Sequence, residues 1–302
     1  MFRSLFLFDV TFWLYLAAVV LYFGYLVASK RALRPAYAGH PAFSEEDDGW
    51  AQPLGQLATW VTFCGLLVNG LALGTRAYER MQLSGTFAPW SNQFEAMSYV
   101  SFAIIAGYLF LELKYGIKAI GAFVVSVGFI AMGAASLLPY RYQVAEPLVP
   151  ALNSYWIYIH VSITLTSYAA FAMAGGLGVM YLLKERAERR GRRGTIYETF
   201  PSLEKIDELG YKSVMIGFPL LAFGVILGAM WANYAWGGYW SWDPKETWSL
   251  IVWLIYGAYI HARMNRGWEG HRAALYQVFG FGMVVFCFWG VNFLLSGLHA
   301  YA

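Results

Sequence analysis

Apolar positions in this chain come in long unbroken runs, not in the alternation of half-buried strands. Runs of about 20 residues, enough to cross a bilayer core as a helix, fall at 5–28, 54–74, 95–113, 117–138, 154–183, 212–234, 246–262 and 273–297. The third and the seventh are the shortest. Strand alternation is absent, so helices and not a barrel would satisfy the backbone inside lipid. The pattern predicts an all-α integral membrane protein of about eight transmembrane helices, one polytopic domain over residues 1–302 with no internal repeat.

Composition supports this. The chain is 59% hydrophobic and only 13% charged, whereas soluble domains run near a quarter charged. Charge also orients the runs. Lys30, Arg31, Arg34, Lys114, Lys118, the stretch KERAERRGRR (184–193), Lys205, Lys212, Arg263, Arg266 and Arg272 fall on one side of an eight-span arrangement and hold 16 of the 21 Lys and Arg. Arg3, Arg76, Arg80, Arg141 and Lys245 fall on the other. The positive-inside rule then puts both termini and the loop around residues 235–248 outside. The first run is too long for a signal peptide, lacks a small-residue cleavage site, and is followed rather than preceded by basic residues; it reads as a retained anchor. KERAERRGRR reads as an inner-face charge anchor, and SEEDD (44–48) as a solvated turn. The expected location is a bacterial cytoplasmic membrane in preference to a thylakoid, and no nucleic-acid partner is expected.

Cys64 and Cys287 each lie within an apolar run. Without CxxC the chain is neither a zinc knuckle nor a thiol carrier; without CxxCH it is not itself a c-type cytochrome. Both cysteines read as packing residues.

One stretch stands apart: WGGYWSWDPKETWSL, residues 236–250. Asp243, Pro244 and Glu246 spell a helix start, with a cap, a proline suited to the first turn and a glutamate that reaches back. Ahead of them, Trp236, Trp240 and Trp242 share a segment whose glycines prevent a regular helix. Local features leave two readings level, an aromatic belt at the membrane interface and a platform for a planar ligand. Asp243 reads as a cap before it reads as a ligand contact.

The five histidines bear on that choice. His40 and His271 fall in polar connections and read as solvated. His160 lies six or seven residues into the fifth run, about 10 Å from its outer end. His299 follows the eighth run in SGLHAYA, so both share the level of the tryptophan loop. His261 closes the seventh run, about 25 Å along that helix from Pro244. It is either a functional group within the membrane or an interfacial residue beside Arg263. Neutral imidazole is a good axial ligand for haem iron, and a flat macrocycle wants aromatic faces. The outer pair with the tryptophans fits a bis-histidine haem site. A transition-metal site fits less well, because no carboxylate or thiolate accompanies the histidines. His261 suggests a second haem position with one ligand from this chain.

These residues carry a resemblance. WGGYWSWDPKETW resembles the WWD signature of haem-handling proteins. With PWSNQFEAMSY before the third run, SYWIYIHVSITLTSYAAF in the fifth and GLHAY near the C-terminus, the chain resembles the CcsA (ResC) family of System II cytochrome c biogenesis. The resemblance implies a partner of the CcsB (ResB) kind, with which haem b is carried across the membrane and presented outside. There it would be attached to the CxxCH motif of apocytochrome c, with thiol-reducing proteins involved indirectly. It implies His160 and His299 as axial ligands of the external haem iron, and His261 as one ligand of a transmembrane haem whose other ligand comes from the partner. The implied cofactor-binding set adds Trp236, Trp240, Trp242 and Asp243. No residue reads as a general acid or base, so the chain would serve as a subunit of a cytochrome c synthase by positioning rather than by acid–base chemistry. Competing readings are a System I-like haem transporter serving a chaperone, a di-haem electron-transfer subunit, and a structural subunit whose tryptophans form a belt.

Overall fold

The computed structural model describes residues 3–37, 49–148, 150, 153–192 and 196–297, and every regular element within them is helical. The long helices are α1 (Arg3–Tyr37), α2 (Ala51–Ser84), α3 (Gln93–Tyr115), α4 (Gly121–Ser136), α6 (Ser162–Arg189), α7 (Leu203–Trp236), α8 (Pro244–Arg266) and α9 (His271–Val285). Two four-residue helices, α5 (Tyr140–Gln143) and α10 (Val291–Leu294), complete the set. π-helical turns at Ile157–Val161 and Phe286–Gly290 lead into α6 and continue α9.

Among the described residues seven helical segments are long and apolar enough to cross a membrane, and α8 is the long helix that is not among them. Its 23 residues reach about 35 Å at 1.5 Å per residue. Length suffices, but Lys245 and Glu246 at one end and His261, Arg263 and Arg266 at the other shorten its apolar stretch. The expected all-α integral membrane architecture holds; the seventh run is its most polar member.

α6 is the axis of the bundle, packed against α3, α4, α7 and α9. The stretch AAFAMAGGLG, 169–178, is buried throughout. Small residues let backbones approach closely where no water-driven force holds helices together. Gly178 shows the limit: a methyl there would meet the Ala274 carbonyl oxygen at 2.9 Å. α1 and α2 pair alongside, with α1 also against α4.

Charged groups knit the two ends. At the end bearing the tryptophan loop, fully buried Glu95 accepts from Arg80 Nε at 3.0 Å and Nη2 at 2.8 Å, with Arg76 Nε 3.7 Å away. Arg76 also donates to the Gln143 carbonyl at 2.8 Å, and Ser4 Oγ donates to Glu79 at 2.6 Å. At the opposite end, Glu112 accepts from Tyr22 at 2.7 Å, Tyr108 at 2.5 Å and Lys118 at 2.6 Å, and from Thr59. Arg263 of α8 meets Asp207 of α7 through two bonds of 3.0 and 2.7 Å. Unpaired charges would be costly at such depth; here each is met by partners on a different helix.

Candidate functional site

The tryptophan end contains a cavity with about 1270 Å³ of empty space, mouth included, built by α3, α6, α7, α8, α10 and the turns between them. A turn at 89–92 starts one wall. The Asn92 side chain accepts from Glu95 N at 2.9 Å, and the Glu95 carboxylate accepts from Ser91 N at 2.8 Å. The first satisfies an orphan donor at the start of α3, and the second ties down the turn that carries Trp90 at the cavity edge.

His160 stands on the π turn that precedes α6 and lines the cavity. It sits nearer the helix end than the apolar run suggests, because Ser154 to Trp156 are spent on turn bonds (Ile157 N to Ser154 O at 3.2 Å, Tyr158 N to Tyr155 O at 3.1 Å). Its Nδ1 lies 2.8 Å from the Gly224 carbonyl oxygen. A carbonyl only accepts, so Nδ1 carries the proton; in the neutral ring the lone pair is then on Nε2, the tautomer and orientation that second-shell bonds impose on ligating histidines. The imidazole fits against α7 because residue 228 is glycine: a methyl there would meet its Cε1 at 2.7 Å and Nδ1 at 3.0 Å. Gly224 and Gly228, one helical turn apart, supply the carbonyl and the space. Trp231, a further turn along, meets His160 edge-on with centroids 5.7 Å apart. Its indole N–H is shielded from solvent and has no acceptor among the described residues.

The loop tryptophans divide. Trp236, the last residue of α7, and Trp240 line the cavity together with Tyr239. Gly237 ends α7 in the left-handed conformation, φ 77°. Trp242 does not line the cavity; it is 71% exposed, holds φ at 59°, and meets Trp240 edge-on at 5.7 Å. A positive φ is uncommon for a bulky residue, and it throws this ring outward to the rim. Asp243 is buried and caps α8, accepting from Lys245 N at 2.9 Å while Glu246 accepts from Asp243 N at 3.3 Å and Ser241 N at 2.8 Å. The cap reading of DPKE is the one realised, as a full capping box.

Another part of the wall is polar. Lys245 Nζ donates to the carbonyls of Cys287 at 3.0 Å and Phe288 at 3.2 Å, and to Asn292 Oδ1 at 2.8 Å. Asn292 in turn donates to Gln93 at 2.6 Å. Both carbonyls belong to the π turn at Phe286–Gly290, where the changed helical pitch brings main-chain oxygens to a side-chain donor. The other π turn offers the Ile157 carbonyl to Trp90 Nε1 at 3.1 Å.

His261 is exposed on α8, its Nδ1 3.1 Å from the Asn265 side-chain amide, and takes no part in the cavity. His299, like His40, lies outside the described residues. The cavity therefore brings together His160, Trp236 and Trp240 of the expected set, with Asp243 beside it as a cap. It adds Trp90, Trp231, Lys245, Gln93 and Asn292, which composition and spacing did not single out. For Gly224 and Gly228 the available signal was G-x-x-x-G within the sixth run, a mark of close helix approach. The donor set suits a flat, largely apolar macrocycle bearing acidic groups: an imidazole, indole walls, a half-buried ammonium, and an indole N–H without an acceptor among the described residues.

Comparison with known proteins shows the family. The sequence model of a family described as cytochrome C assembly protein matches residues 90–299, which spans the whole cavity wall. The cytochrome c biogenesis protein CcsA of Guillardia theta is 40% identical over 256 residues, covering 80% of this chain and 83% of its own. CcsA of Pyropia yezoensis is 39% identical over 284 residues (82% and 88%), and CcsA of Synechococcus elongatus 37% over 280 (78% and 86%). Among solved structures, the cytochrome c haem lyase CcmF superposes with a TM-score of 0.56 at 16% identity. That match covers 92% of this chain but only 46% of CcmF, and it speaks to fold alone. With a family match over most of its length and relatives near 40% identity, this multi-pass membrane chain belongs to the CcsA family of cytochrome c biogenesis proteins.

Proposed function

We propose that the chain holds haem b in the cavity at the tryptophan end and presents it at the extracytoplasmic face for attachment to the CxxCH motif of apocytochrome c. One observation carries this reading. His160 has its Nδ1 tied to the Gly224 carbonyl, so Nε2 is the nitrogen with the lone pair, on a wall shared with Trp231 and Trp236. Haem b, when bound, supplies the vinyl groups that cysteine thiols add to. The chain's own residues would orient it: His160 would hold the iron, Trp236 and Trp240 would pack against the ring, and Trp242 stands on the rim where a substrate peptide would approach. Holding the reacting groups in register is a large share of what such a site can contribute. His299 is proposed as the opposite axial ligand.

His261 is proposed as a ligand for haem in transit, about 25 Å along α8 from the cavity end. Its exposure supports the view that a CcsB-like subunit covers this flank and provides the other ligand. The sidedness rests on the basic residues gathered at the His261 end. We place the chain in a bacterial cytoplasmic membrane; relatives from Guillardia and Pyropia favour a thylakoid as the second reading.

The test is spectroscopic. The chain co-expressed with a CcsB-like partner should purify with a low-spin bis-histidine haem spectrum. His160→Ala should lose that spectrum and cytochrome c maturation, with partial return on adding imidazole. Full maturation by His160→Ala would overturn the external site. His261→Ala should lower haem at the cavity without altering its ligation; unchanged loading would make His261 merely interfacial.

A further inference from the structure

The π turn accounts for a hydrogen-bond donor at Lys245 but not for its positive charge. The ammonium sits in the cavity wall with three partners, the Cys287 and Phe288 carbonyls and Asn292 Oδ1, all of them neutral. Asp243, the carboxylate whose charge it feels, is committed to the cap of α8. Glu246, which also lines the cavity, is committed to the Ser241 and Asp243 amides. The Cys287 and Phe288 carbonyls call for a donor here, but a neutral donor would serve them; the full charge is what costs, since drawing an ammonium out of water takes several kcal/mol unless a counter-charge repays it. Three neutral acceptors hold the group in place and leave its charge standing. They also lock it: Asn292 is held by Gln93 at 2.6 Å, and the carbonyls belong to a π turn. The result is a positioned cation without a committed carboxylate among the described residues, on elements other than the one that carries His160.

We infer that Lys245, set by Asn292 and the Phe286–Gly290 turn, is an anchor for a peripheral carboxylate of the ligand in this cavity, a haem propionate. The inference rests on the haem reading of the cavity and adds an orientation to it. A single histidine fixes the iron but leaves the ring free to turn about the iron–nitrogen axis. A charge off that axis removes the freedom. With a propionate drawn to Lys245, the propionate edge is held at the α8 wall. The vinyl groups, which lie on other edges of the macrocycle, are then kept clear of it. Lys245 is thus a positioning residue: it selects which edge of the ring is offered.

The experiment compares two probes on the full-length protein in detergent: iron protoporphyrin IX and its dimethyl ester, which has the same iron, ring and vinyl groups but no carboxylates. Wild type is expected to bind the acid at least 10-fold more tightly than the ester, read from Soret titrations. Lys245→Met should bring that preference below 3-fold whatever it does to ester affinity, and Lys245→Arg should keep the preference. If Lys245→Met weakens both probes equally, the residue is structural and the inference is overturned. Should Lys245→Met fail to fold, wild type still decides: no preference for the acid over the ester overturns it. Binding of neither probe by wild type would instead overturn the haem reading beneath it, which separates the two failures.

Discussion

Gly228→Ala isolates the geometry of the imidazole from the chemistry of the ligand. The added methyl would lie 2.7 Å from His160 Cε1, 3.0 Å from Nδ1 and 3.4 Å from Nε2, where ordinary contact begins near 3.4 Å. The ring must move by about 0.7 Å, away from α7 and therefore away from the Gly224 carbonyl 2.8 Å from Nδ1. Losing that hydrogen bond costs about 0.5–1.5 kcal/mol, and an off-rotamer side chain about the same again. Together, about 1–3 kcal/mol should appear in haem binding, roughly a 5- to 150-fold loss at 1.4 kcal/mol per tenfold. Fold stability should fall by no more than about 2 kcal/mol, because alanine in place of glycine within a helix returns about 0.8–1.0 kcal/mol against the same strain. Haem titration followed by the Soret band and thermal melting of the same detergent sample separate the two quantities. Gly74→Ala is the control, since a methyl there meets nothing within 4 Å. Wild-type haem affinity in a folded Gly228→Ala would refute the placement of His160 on the iron.

Other perturbations have equally definite outcomes. Trp240→Ala should lower haem retention about tenfold, whereas Trp242→Ala should retain haem and lower maturation, because only the first lines the cavity; bound haem per protein after washing and maturation of a reporter cytochrome check the pair. Glu95→Ala leaves Arg76 and Arg80 buried without their shared carboxylate and should cost about 3–5 kcal/mol, seen as lost melting stability or failed accumulation; Glu95→Gln should be milder, because the amide oxygen can still accept from Ser91 N. Arg263→Ala removes a two-bond ion pair whose side chains are about one-tenth exposed, and should cost about 2 kcal/mol, between the surface and buried limits. Asp207→Asn should cost a similar amount, and the double mutant less than the sum, by thermal melting in detergent.

Much of the fold was legible because lipid imposes a pattern that survives in the sequence: long apolar runs become helices, and basic residues gather at one end. The five basic residues that fall at the other end show why the asymmetry is real. Arg76 and Arg80 are internal, bonded to Glu95 and to the Gln143 and Glu146 carbonyls, and Lys245 is in the cavity wall, which leaves Arg3 and Arg141 to stand against the opposing set. Hydropathy was least informative for α8. There the apolar run is short because functional candidates occupy both ends of the helix, a cap and a half-buried lysine at one and His261 at the other.

The site was legible where chemistry depends on residue type, and hidden where it depends on helical pitch. Histidine and tryptophan are scarce enough to be weighed one by one, and DPKE spells its own cap. The two π turns have no such spelling, yet they define much of the cavity. At Ile157–Val161 the extra residue per turn brings His160 to the α7 glycines and leaves the Ile157 carbonyl for Trp90. At Phe286–Gly290 the same distortion gives Lys245 two main-chain oxygens. Such turns trade regular intrahelical bonds for bonds to side chains on neighbouring helices. That exchange is affordable within a membrane only if each displaced carbonyl finds a donor. Trp90 and Lys245 are those donors, so both carry a structural duty in the same wall that is proposed to hold the ligand. Substituting either should therefore disturb a π turn as well as a contact. That is why the ester comparison, which alters the ligand and leaves the protein intact, is the cleaner measure of what Lys245 does.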